Sequence, residues 1–92
     1  MVPPSNRVLI IEDDPVMREV LTRALTMAKY EARAVGDANE AIAQAREFRP
    51  TVVVWDVHLP GRLGTEVLTQ FREDELLGMT QFILITGDRE DT

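Results

Sequence analysis

Three apolar runs in this 92-residue chain are each followed at once by acids or a hydroxyl. Glu12-Asp13-Asp14 follows residues 8–11, Asp56 follows residues 52–55, and Thr86-Gly87-Asp88 follows residues 82–85. Carboxylates gathered at one place repel each other unless a cation balances them, and Mg²⁺, a hard ion that takes oxygen ligands and keeps some of its waters, suits such a group. The chain has no cysteine and one histidine, His58, so oxygen atoms or that imidazole must hold any metal. An acid after a strand also has a simpler use, as a helix cap. Asp14, just before Pro15, and Asp37 are assigned to capping. Capping explains Asp56 less well, because residues 57–64 separate it from the next periodic segment.

Parallel strands fit these positions. Val8-Leu9-Ile10-Ile11, Val52-Val53-Val54-Trp55 and Phe82-Ile83-Leu84-Ile85 are apolar at every position, as expected of strands covered on both faces. Glu31-Ala32-Arg33-Ala34-Val35 mixes in charges, as an edge strand does. Between the first two runs, Met17, Val20, Leu21, Ala24, Leu25 and Ala28 recur at helical spacing and predict a helix with one buried stripe. A second helix is predicted from Asp37, with Glu40 placed for a capping box, a face of Ala41, Ile42, Ala45 and Phe48, and an end at Pro50. A third, carrying Val67, Leu68 and Phe71, begins after Gly64 and is predicted to fray at Glu73-Asp74-Glu75. The order β-α-β-α-β-α-β implies an open α/β parallel sheet whose site lies at the carboxyl ends of the strands.

Composition narrows the chemistry. The net charge of −6 argues against nucleic acid as a direct partner, since phosphate backbones reward clustered Lys and Arg. The first residues lack the apolar core of a secretion signal and no run is long enough to span a membrane, so the expected setting is cytoplasmic. One domain over residues 1–92 is expected, with 1–6 as a disordered lead-in.

The acidic pair in Ile10-Ile11-Glu12-Asp13-Asp14, the segment Trp55-Asp56-Val57-His58-Leu59-Pro60-Gly61 with Gly64 following, and the strand end Ile85-Thr86-Gly87 together resemble the receiver domain of two-component response regulators over residues 7–87. That resemblance implies a flavodoxin-like, CheY-like sheet of order 2-1-3-4. It implies that Asp56 is the phosphoryl acceptor, that Asp13 binds Mg²⁺ directly and Glu12 through water, and that the backbone carbonyl of His58 is a further ligand. It makes Thr86 the switch hydroxyl, and a sensor histidine kinase or phosphotransfer protein the donor. The domain would act as a signalling phosphoacceptor rather than an enzyme with a separate substrate.

The family's fifth strand and helix, with a lysine at the end of that strand and an aromatic switch residue upon it, have no counterpart before Thr92, and the single lysine, Lys29, sits at the end of the first helix. A receiver incomplete at its C-terminus is therefore expected, with its fourth strand an open edge through which two copies could pair. An interaction module independent of phosphorylation is the alternative. A haloacid-dehalogenase-type phosphatase ranks last, because that family wants a second aspartate where His58 stands.

Overall fold

The computed structural model describes residues 6–56 and 64–85, giving the backbone alone at 38, 56, 64, 65, 84 and 85. Its elements run β1 (Arg7–Ile11), α1 (Pro15–Met27), β2 (Glu31–Val35), α2 (Ala38–Phe48), β3 (Val52–Asp56), α3 (Gly64–Glu73) and β4 (Gln81–Ile85). The strands form one sheet of order β2-β1-β3-β4, every neighbouring pair parallel. The charged β2 is indeed an edge strand.

The connections explain where the helices lie. The first crossover moves from β1 outward to β2, while the second and third move the opposite way, to β3 and then β4. Right-handed crossovers of opposite direction put their helices on opposite faces, so α1 covers one face and α2 and α3 the other. Strand alternation follows suit. Leu9, Ile11, Val53 and Trp55 point into one buried cluster with Ala41, Ala45 and Phe48 of α2, and with Val67 and Phe71 of α3. Phe82 of β4 meets Phe71 edge-on, ring centres 4.9 Å apart at 82°, which closes the cluster at the far edge. Trp55 and Phe71 are almost wholly buried, and each such side chain contributes on the order of 2–3 kcal/mol by leaving water.

Local chemistry sets the ends of the helices. Asp14 accepts the Val16 N–H at 3.0 Å and Pro15 opens α1, where a missing N–H is harmless. Asp37 caps α2 through the Asn39 N–H at 2.7 Å, one position earlier than a capping box would use. Arg49 ends α2 in the left-handed region (φ 55°), its N–H closing on Ala45 O, and Pro50 prevents continuation.

Three expectations need correction. The stripe on α1 is not buried: none of its residues is fully covered, and Met17 (41% exposed) and Val20 (52%) are open to solvent. Likewise β3 and β4 are not covered on both faces, for Val52 and Val54 are only half-buried and Ile83 is 51% exposed. The reason is common to both. Among the described residues α1 is alone on its face and lies over β1 and β2, so nothing described covers that face of β3 and β4. The exit from α3 is also no frayed end. Asp74 accepts the Leu76 N–H at 2.8 Å and the Arg46 Nε–H at 2.6 Å, while Arg72 Nη1 donates to the carbonyls of Gly78 and Thr80 at 2.9 and 2.7 Å.

Candidate functional site

The acids gather where the crossovers reverse direction, at the carboxyl ends of β1 and β3. These strands pair through Ile11 and Trp55. The next residue on each, Glu12 and Asp56, therefore begins a shared rim, with backbones about 5 Å apart as in any adjacent strands. Asp56 is in register with Ile85 on its other side. Thr86 follows Ile85 in the chain but lies outside the described residues, as does His58. The structure thus brings Glu12, Asp13 and the backbone of Asp56 together.

Three consecutive acids on this rim have three different surroundings. Glu12 is 3% exposed, and its Oε2 accepts the Asp14 N–H at 3.1 Å. A buried carboxylate is tolerated only when hydrogen-bonded or balanced by charge. Its backbone is held at both ends: the N–H donates to Val35 O at 3.0 Å, and the carbonyl accepts from Arg18 Nη1 at 3.0 Å. Asp13 is exposed, and among the described residues no hydrogen bond engages its carboxylate. Asp14 is committed to its cap. The assignment of Asp14 to capping matches its hydrogen bond to the Val16 N–H.

The donors on offer are carboxylate oxygens, with neither sulfur nor a described imidazole among them, which fits a hard divalent ion better than zinc or copper. Among the described side chains no group of three or more metal-ligating residues forms. The side chains of Asp56 and His58 are outside that set. An open groove of about 640 Å³ lined by Asn6, Tyr30, Arg49, Thr51, Met79 and Gln81 lies at the amino-terminal edge of the strands, away from the rim. Lys29 is also at that edge, two residues before β2 begins. A five-residue strand spans roughly 16 Å, so Lys29 is separated from the acids by the height of the sheet.

Sequence reasoning passed over Arg18 and Gly36. Arg18 interrupts the apolar stripe of α1 one turn beyond Asp14, and that interruption is the signal that could have drawn attention to it.

Comparison with known proteins agrees with this architecture. The family model for the response regulator receiver domain matches residues 8–92. A probable transcriptional regulatory protein, TcrX, of Mycobacterium tuberculosis is 42% identical over 67 residues, covering 73% of this chain and 29% of the relative. The phosphate regulon transcriptional regulatory protein PhoB of Pseudomonas aeruginosa is 31% identical over 87 residues, covering 95% of this chain and 38% of that protein. The chain thus spans well under half the length of these curated relatives. Among solved structures, the chemotaxis response regulator CheY4 of Vibrio cholerae superposes with a TM-score of 0.80 at 27% identity, covering 88% of this chain and 68% of that one. With its family model matched over nearly its whole length and its sheet order shared with such structures, this chain belongs to the response regulator receiver domains.

Proposed function

We propose that this domain is a phosphoacceptor switch in which Asp56 receives a phosphoryl group from a phosphohistidine on a sensor kinase or phosphotransfer protein. The observation that supports this most is the parallel register of β1 with β3, which brings Glu12 and Asp13 to the strand end that carries Asp56. In the reaction a carboxylate oxygen of Asp56 attacks phosphorus in line with the leaving imidazole nitrogen. The O–P bond forms, the N–P bond breaks, and the nitrogen keeps the electron pair. Later attack of water on phosphorus releases orthophosphate and returns the carboxylate.

Mg²⁺ held by Asp13, Asp56 and the His58 carbonyl, with Glu12 acting through water, would supply neutralisation of the charge on the phosphoryl oxygens. Glu12, buried and tied to two neighbouring segments, keeps the rim rigid; Asp13, exposed, is open to the ion. Thr86 is assigned as the hydroxyl that turns toward the phosphoryl group, and the added charge then biases the surface that partners read. The setting we assign is cytoplasmic, and among the described residues no helix is long and apolar enough to cross a membrane. TcrX and PhoB are transcriptional regulators by name, and this chain would be the receiver of a longer regulator of that kind, pairing with a second copy through the open edge of β4.

The test is uptake of beryllofluoride with Mg²⁺, followed by calorimetry. The chain should bind it and Asp56→Asn should not; equal binding by the two would remove the acceptor assignment. The alternative, an interaction module that works without phosphorylation, predicts the same partner affinity with and without Asp56.

A further inference from the structure

Arg18 lies in the first turns of α1, yet its guanidinium bends back over the loop between β1 and α1. Nη1 donates to the carbonyl of Glu12 at 3.0 Å and to that of Asp13 at 3.3 Å. Among the described residues it makes no ion pair with the carboxylates beside it. Its bonds go to the two peptide groups that aim the acids, and they leave the carboxylate oxygens of Asp13 open. A cation placed this way also lowers the repulsion within the run Glu12-Asp13-Asp14 without neutralising any one of them.

The seat of that guanidinium is made by an absent side chain. A Cβ added at Gly36 would stand 2.2 Å from Arg18 Nη1 and 3.0 Å from its Cζ. Gly36 directly follows β2, whose last residue, Val35, accepts the Glu12 N–H. One end of β2 therefore supplies both the acceptor for the Glu12 N–H and the space in which Arg18 holds the Glu12 carbonyl.

We infer that Arg18, seated in the space left by Gly36, is a positioning residue for the Glu12–Asp13 pair, setting the directions in which the two carboxylates face an ion and a phosphoryl group. The inference rests on the phosphoacceptor reading of this rim. It makes a prediction that simple electrostatics reverses. Removing a nearby positive charge should by itself tighten Mg²⁺ binding, whereas removing a positioning group should loosen it.

Mg²⁺ binding to the 92-residue chain is measured by calorimetry at constant ionic strength, with folding followed by circular dichroism. Arg18→Met, which keeps the apolar stem, should weaken Mg²⁺ about 10-fold, the lower end of what loss of a residue supporting a metal ligand usually does. Arg18→Lys should recover part of the loss. Gly36→Ala should reproduce it, since the flexible guanidinium yields before the backbone, and the double variant should add little to either single change. Without any metal, Arg18→Met should speed hydrogen exchange at the Asp14 amide, whose partner is Glu12 Oε2. Folded Arg18→Met that binds Mg²⁺ as tightly as the parent, or tighter, overturns the inference while leaving the pocket intact. A parent chain that takes up no Mg²⁺ overturns the pocket and the inference with it.

Discussion

Replacing Asp13 by asparagine should move stability in opposite directions without and with Mg²⁺. Asp13 is exposed, its carboxylate makes no described hydrogen bond, and asparagine is nearly isosteric, so no folded-state contact is lost. Its neighbours Glu12 and Asp14 are both acids. At about 6 Å in a water-like dielectric each repulsion is worth roughly 0.7 kcal/mol, less in salt. Because the Arg18 guanidinium beside the run offsets part of that repulsion, the metal-free variant should be equal to the parent or more stable by less than about 1 kcal/mol. The parent should gain about 2.7 kcal/mol from Mg²⁺ at 100 times its dissociation constant. In a domain of this size that gain raises the melting temperature by roughly 10–20 °C, and most of it should vanish in Asp13→Asn. Thermal melts with MgCl₂, against NaCl of equal ionic strength, read both effects. A variant that gains as much from Mg²⁺ as the parent would refute Asp13 as a ligand, and one that is much less stable without metal would refute its description as a free carboxylate.

Two further outcomes follow from the packing. The Arg46 side chain, hydrogen-bonded to Asp74, holds that carboxyl below its ordinary value, with help from the Leu76 N–H. A lowered folded-state pKa contributes stability above the ordinary carboxylate range and loses it as pH falls through the folded value. Urea midpoints of Asp74→Asn and the parent should thus differ most at neutral pH and converge as pH falls below the ordinary carboxylate range; a gap that stays constant would show that the ion pair is not its source. Ile83→Lys places a charge on the half-exposed, uncovered face of β4 and should change folding stability by less than about 1 kcal/mol. It should also abolish self-association in sedimentation, and a parent that stays monomeric at high concentration would end the pairing proposal.

The sequence by itself determined which segments are strands and helices, and in what order, because each carries its own period and its own punctuation. Asp14 before Pro15, Asp37 two residues after the end of β2, and Pro50 after Phe48 act locally, through hydrogen bonds to their own chain neighbours or through a missing one. The acidic rim was legible for a related reason: strand ends of a parallel sheet converge, so Glu12, Asp13 and Asp56 could be placed together from order alone. Coverage was not legible. An apolar run looks the same whether both of its faces are packed or only one, and only the tertiary structure shows that, among the described residues, α1 is half bare and one face of β3 and β4 is without a covering element. Contacts between distant residues were hidden for the same reason. Nothing in the spacing of Arg46 and Asp74, or of Arg18 and Gly36, announces that a guanidinium from one element will settle against another. Those meetings depend on the angle at which helices cross the sheet, which the packing of side chains between layers decides.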